Sequence, residues 1–167
     1  MLACHTIRPA RLADALALAQ VQHAAVHGLA AEHYPQSVLE LWAPAVTLVR
    51  AERLYRETQD AGGRHYVAEL RGEVIGFGVV LPEAGEIQAC YVAPIAVRCG
   101  VGRTLLIAME AAVEAAGVHE IGARASVNAK SFYRAQGYAS TGRGEHQFED
   151  GTRMVVVQMR KDISPLF

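Results

Sequence analysis

The sequence predicts a mixed α/β (α+β) fold: one mostly antiparallel sheet with a single parallel crossover, flanked by helices. Three observations predict it. Apolar residues recur at helical spacing through the first third of the chain. Short alternating strands separated by tight-turn residues begin at His65. A strand, a strongly apolar helix and a second strand then follow one another between Glu86 and Ala125. That last order calls for a crossover, and crossovers between parallel strands are right-handed. At 167 residues, 51% apolar and 20% charged, the chain can fill one core and has little left for a second. One domain is expected over residues 5–162.

Thr6-Ile7-Arg8 reads as a short strand closed by Pro9. Leu12, Leu16, Ala19, His23 and Val26 then repeat at helical spacing up to Gly28. Pro35 suits the first turn of a second helix through Trp42, and a third is expected from about Ala45 to Thr58, ended by Gly62-Gly63. His65–Leu70 and Val74–Val80 form a hairpin about Arg71-Gly72-Glu73, closed by Pro82 and Gly85. Glu86–Val92 is a strand, Gly102–Ala116 a helix, and Ile121–Ala125 a strand bounded by Gly117 and Asn128. Ala129–Gln136 reads as a short helix with Asn128 as its N-cap and Gly137 as its stop. Ala139–Phe148 and Met154–Met159 close the chain as two antiparallel strands around Glu149-Asp150-Gly151.

Composition excludes several classes. Net charge is -1 with Lys and Arg dispersed, so no basic stripe exists to follow a nucleic-acid backbone, and no nucleic-acid partner is expected. Cys4, Cys90 and Cys99 are odd in number and lack zinc or disulfide spacing, so they read as free thiols of a cytoplasmic protein. No apolar run reaches membrane-spanning length, so no membrane partner is expected. His23 and His27 share a helical face, but no Glu follows the first and no carboxylate partners them. They read as surface or core histidines, and no metal is expected.

The segment Tyr91-Val92-Ala93-Pro94-Ile95-Ala96-Val97-Arg98-Cys99-Gly100-Val101-Gly102-Arg103-Thr104 runs from a strand through a glycine-bearing loop straight into a helix. Glycines let a ligand approach the backbone, and the unpaired N–H groups and dipole of a helix start favour an anion such as a pyrophosphate. Arg98 and Arg103 add positive charge. No Lys-Ser/Thr pair follows the glycines, and the third glycine of a dinucleotide fingerprint is missing, which disfavours ATP and NAD. Gly-x-Gly alone is equally compatible with a plain tight turn.

A second segment, Ser126-Val127-Asn128-Ala129-Lys130-Ser131-Phe132-Tyr133-Arg134-Ala135-Gln136-Gly137-Tyr138, carries Ala129, Phe132, Tyr133, Gly137 and Tyr138 in the pattern A-x-x-F-Y-x-x-x-G-F/Y. Together with the loop upstream, it resembles the signature of the GNAT family (Gcn5-related N-acetyltransferases). The resemblance is strongest over residues 86–138. Two positions depart from the family: Val97 stands where Gln or Arg is common, and Ser126 stands where many relatives have Asn.

The resemblance implies a GNAT fold and acetyl-CoA as cosubstrate, held by Val97, Arg98, Cys99, Gly100, Val101, Gly102, Arg103 and Thr104, with Ser126 and Asn128 adding polar contacts. It implies a backbone N–H near Tyr91-Val92 for the developing oxyanion and Tyr133 close to the sulfur, where a phenol serves the leaving thiolate. Tyr133 could equally pack beside Phe132. Strand alternation puts Glu86, Gln88 and Cys90 on one face, making Glu86 the candidate base; a solvent-facing Glu is the plainer alternative. His27, Tyr34 and Trp42 occupy the helical region that walls the acceptor site in GNAT folds, where they either select a substrate or pack helix on sheet. The expected activity is direct acetyl transfer to the primary amine of a small molecule. A protein or peptide N-acetyltransferase and a non-catalytic acyl-CoA-binding module are the alternatives, and a homodimer is left open.

Overall fold

A computed structural model describes residues 4–166. In chain order its elements are β1 (Thr6–Pro9), α1 (Ala15–Leu29), α2 (Gln36–Trp42), α3 (Leu48–Asp60), β2 (Arg64–Leu70), β3 (Glu73–Leu81), β4 (Glu86–Val92), α4 (Val101–Ala115), β5 (Glu120–Ser126), α5 (Lys130–Ala135), β6 (Ala139–Gln147) and β7 (Arg153–Asp162). The seven strands form one mixed sheet in the order β1-β2-β3-β4-β5-β7-β6. All neighbours are antiparallel except β4 and β5. The expected fold class is therefore present, with β7 inserted between β5 and β6.

Both faces of the sheet are covered. On one, Leu106, Met109 and Val113 of α4 pack with Val80, Ile121, Val157 and Met159. On the other, Ala15 and Leu18 of α1 and Ala51 and Tyr55 of α3 pack with Val67, Phe77 and Val79. Burial of each Leu, Ile, Val, Met or Phe among them is worth roughly 1.5–3 kcal/mol before the entropy of ordering is subtracted. α4 docks closely because β3 presents glycines to it. A Cβ on Gly78 would stand 2.7 Å from Met109 Cε, and one on Gly76 2.9 Å from Val101 Cγ1.

Several boundaries shift for local reasons. Pro35 precedes α2 as its N-cap, with extended backbone, rather than entering the first turn. α3 starts at Leu48, not near Ala45, because the Thr47 hydroxyl accepts the Arg50 N–H at 3.3 Å. α1 buries Ala15, Leu18, Val21, Ala25 and Val26 and leaves Leu16, Ala19 and His23 half-buried, so its core face is rotated from the expected stripe. Asn128 is not a helix cap: it lies within a 3-10 turn, Val127–Ala129, whose N-cap position is Ser126.

The feature that creates a site is the short contact between β4 and β5. They pair only at Glu86–Gly122 and Ile87–Ala123. Beyond that point β4 stays on β3 while β5 stays on β7 as far as Ser126, and the sheet forks. A bulge lies at the fork: Val79 pairs with Ala89 and Val80 with Ile87, leaving Gln88 as the extra residue on β4. The bulge overturns the alternation expected for Glu86, Gln88 and Cys90. Cys90 packs with Ile87 on the α4 side, while Ala89 and Tyr91 pack toward α1 and α3.

Candidate active site

Two cavities meet at the fork. One, of about 690 Å³, is lined by the loop residues Val97, Arg98 and Gly100–Arg103, by Val92, and by Ser126, Asn128 and Phe132. The other, of about 430 Å³, is lined by Glu86–Tyr91 of β4, Ala123–Ser126 of β5, and Gln22, Tyr133 and His146. Trp42, Cys90, Tyr91, Ser126, Ala129 and Phe132 line both, so the fork is the passage between them.

The first cavity has an anion cradle at its mouth. Arg98 and Gly100 both adopt left-handed backbone, with φ of 63° and 80°. The two reversals swing the chain into α4 without using its N–H groups. From Arg98 to Arg103 no backbone N–H meets a backbone carbonyl; the first to do so is that of Thr104, on Gly100 O at 3.1 Å. Unpaired N–H groups at a helix start favour phosphate oxygens, and Arg98 and Arg103 line the same cavity. Thr104 itself is turned inward: its hydroxyl donates to Val101 O at 2.9 Å and lies 2.7 Å from His5 Nε2. The Cys99 thiol is exposed and lies 3.6 Å from Val97 O.

Gly102 has a packing reason to be glycine besides its place in the loop. A Cβ there would stand 2.8 Å from the Phe132 ring, so the glycine seats that ring. Across the cavity, Asn128 Oδ1 is buried with no hydrogen-bond partner. An orphaned acceptor of this kind is costly unless a ligand donor meets it. The open cradle and the orphaned amide oxygen together fit a long ligand with a pyrophosphate at one end and amide N–H groups along its length.

Tyr133 lines the second cavity and is buried; its ring lies edge-on to Phe132 and Tyr138 at 5.2 and 5.3 Å. Burial first, and then the neighbouring Cys90, Tyr138 and Tyr91, push its phenol well above the ordinary range, so it stays protonated. Burial likewise pushes the Cys90 thiol up to about 12, which keeps it neutral and a poor nucleophile. On β4 the Ala93 N–H bonds Ile75 O at 2.8 Å, so strand alternation turns the N–H groups of Val92 and Cys90 into the fork and that of Tyr91 toward β3. The Tyr91 hydroxyl accepts from Trp42 Nε1 at 2.8 Å, and burial raises its pKa to about 12.

Glu86 lines the second cavity, and its carboxylate is ion-paired to Arg160 at 3.1 Å. Of the three helical-region residues, only Trp42 borders the two cavities. The Tyr34 hydroxyl is engaged twice by backbone, donating to Val155 O at 2.6 Å and accepting from Val127 N at 2.9 Å. His27 donates from Nε2 to Ala43 O at 2.8 Å and stacks on His23. The Tyr34 hydroxyl and His27 Nε2 are thus engaged by backbone groups. Gln22, Arg124 and His146 line the second cavity and were not singled out by sequence. Their only signal was alternation within elements that pattern alone could not orient.

Comparison with known proteins agrees with this geometry. The acetyltransferase (GNAT) domain family matches residues 30–163. The GCN5-related N-acetyltransferase "Aminotransferase, Class-II" from Rhodopseudomonas palustris superposes with a TM-score of 0.85 at 28% identity, over 97% of this chain and 98% of that one. The ribosomal-protein-alanine N-acetyltransferase from Brucella melitensis gives 0.71 at 26% identity, over 94% and 99%. PaiA N-acetyltransferase from Thermoplasma acidophilum, solved in complex with coenzyme A, gives 0.75 at 19% identity over 95% and 99%, a likeness of fold. No curated protein sequence matches. By the match that spans most of its length, and by the forked sheet and loop that go with it, the chain belongs to the GNAT acetyltransferase family.

Proposed function

We propose that this protein transfers an acetyl group from acetyl-CoA directly to the primary amine of a small molecule. The observation that carries the proposal is the pair of cavities joined at the β4/β5 fork: an anion cradle opens on one, and a protonated phenol and a carboxylate border the other. Acetyl-CoA, when bound, supplies a thioester carbonyl and a thiolate leaving group. The N–H groups of residues 98–103, with Arg98 and Arg103, would hold its pyrophosphate, and Asn128 and Ser126 would meet its pantetheine amides. The Val92 N–H, turned into the fork, is the donor for the developing oxyanion. As the C–N bond forms and the C–S bond breaks, Tyr133 donates a hydrogen bond to the departing sulfur. Glu86 takes the amine proton, directly or through water, with Arg160 fixing its carboxylate. The neutral Cys90 thiol supports direct transfer over an acyl-enzyme.

A cavity of about 430 Å³ suits a small acceptor. The likeness to the Brucella enzyme favours, as a second reading, a protein N-terminus as acceptor. Two measurements test the proposal. A thermal-shift series should show stabilisation by acetyl-CoA, about 2.7 kcal/mol at a hundred times Kd, and none by NAD or ATP. A free-thiol release screen should then find turnover with small amines. No response to millimolar acetyl-CoA would sink the enzyme; binding without turnover on any amine or peptide would leave an acyl-CoA-binding module.

A further inference from the structure

We infer that the amine acceptor carries a carboxylate next to its amine, as an α-amino acid does, and that Arg124 is the residue that recognises it. The inference rests on the acetyltransferase reading above and extends it to the class of acceptor. Three observations carry it.

The first is placement. On β5 the side chains of Ile121, Ala123 and Ala125 pack into the core on the α4 side. Alternation therefore sends Arg124 to the opposite face, where it lines the second cavity. It stands one residue beyond Ala123, the last position at which β5 pairs with β4, and Gln88 stands one beyond Ile87 on the other prong. Arg124 thus sits at the root of the fork, and the backbone donors that face the acyl group run along the other prong.

The second is its lack of a charge partner. Glu86, on the same face, is paired to Arg160 at 3.1 Å, and Arg160 also reaches Glu120 at 3.7 Å. Glu145 pairs with Arg153 at 3.3 Å. Arg124 makes no ion pair among the described residues; its guanidinium donates from Nη2 to the backbone carbonyl of Glu145 at 2.5 Å. That bond braces one edge of the planar group against β6 and leaves other N–H donors free. A braced guanidinium with a free edge is suited to take a carboxylate in two parallel hydrogen bonds.

The third is the balance of charge. Glu86 is the carboxylate bordering the second cavity, and it shares Arg160 with Glu120. Arg124 is the guanidinium of the same lining and is paired to neither of those carboxylates. A purely cationic amine would leave that guanidinium without a carboxylate. A zwitterion would bring its carboxylate to Arg124 and its amine toward Glu86 and the open edge of β4.

The test uses the full chain, acetyl-CoA and matched acceptors: the L-amino acids, each with its own carboxamide, in a thiol-release assay. The native protein should acetylate at least one amino acid with kcat/KM ten or more times that of its carboxamide. In Arg124→Gln that ratio should fall to near one, mainly through KM, while acetyl-CoA still raises Tm as in the native protein. Carboxamides turned over as well as the acids, a ratio unchanged by Arg124→Gln, or acetyl-CoA binding without turnover of any amino acid would each overturn the assignment, and none of them would touch cofactor binding. A chain that acetyl-CoA does not stabilise would overturn the underlying enzyme reading instead.

Discussion

The Phe132 ring lies against Gly102, so close that a Cβ on the glycine would stand 2.8 Å from Cζ and 2.9 Å from Cε2. One contact thereby joins the start of α4 to α5 and sets the distance between the anion cradle and Tyr133. Gly102→Ala is expected to lower stability by about 1–3 kcal/mol through overpacking, as read from urea unfolding, and to weaken CoA binding as a consequence. Adding Phe132→Leu should recover part of both. If affinity falls with no loss of stability, crowding of the ligand is the cause and the ring contact is not.

Tyr133→Phe keeps the ring between Phe132 and Tyr138 and removes only the hydroxyl. CoA affinity should hold, while kcat and kcat/KM fall together by about 10²-fold, the mark of an interaction made in the transition state. Because burial raises this phenol above its ordinary pKa, it stays protonated at higher pH than a free tyrosine. The native pH profile should therefore lose no activity to Tyr133 ionisation below about pH 10. An unchanged kcat in Tyr133→Phe would reduce the residue to packing.

Tyr34 fastens the segment after α1 to two backbone groups, Val155 O and Val127 N. Tyr34→Phe removes a hydrogen bond from each of these part-buried backbone groups and should destabilise by about 1–3 kcal/mol in chemical unfolding. Val127 lies between Ser126 and Asn128, so acetyl-CoA affinity should drop as well. A variant as stable as the native protein would show that water replaces the hydroxyl.

Asp14 is buried near the sheet edge, where it takes Arg8 Nη1 at 2.8 Å and Nη2 at 2.9 Å and the Arg11 N–H at 2.7 Å. The Arg8 hydrogen bonds, foremost, hold its pKa below the usual carboxylate value. A depressed folded-state pKa means stability that is present above the unfolded pKa and lost as pH falls through the folded one. Unfolding free energy should therefore decline below about pH 4 in the native protein. Asp14→Asn should be less stable at pH 7 by about 1–3 kcal/mol and flatter across that acid window. Parallel curves for the two proteins would assign the acid loss to other carboxylates.

What the sequence determined by itself was every element that local chemistry dictates. The helices, the hairpins and the loop into α4 follow from spacing, glycine and proline, and Ala129, Phe132, Tyr133, Gly137 and Tyr138 carried the family. What it did not determine depends on residues distant in the chain. β7 enters between β5 and β6 because that places Val157 and Met159 over α4, which no local pattern states. The bulge at Gln88 turned Cys90 to the opposite face, since one extra residue reverses a period of two. Tyr34 and His27 are polar aromatics in the expected region, but the Tyr34 hydroxyl and His27 Nε2 went to backbone groups that only folding brings near. Arg124, Gln22 and His146 reach one cavity from a strand, a helix and an edge strand. A site built across a fork in a sheet takes its residues from both prongs, and the fork exists only where β4 and β5 stop pairing after Ile87 and Ala123.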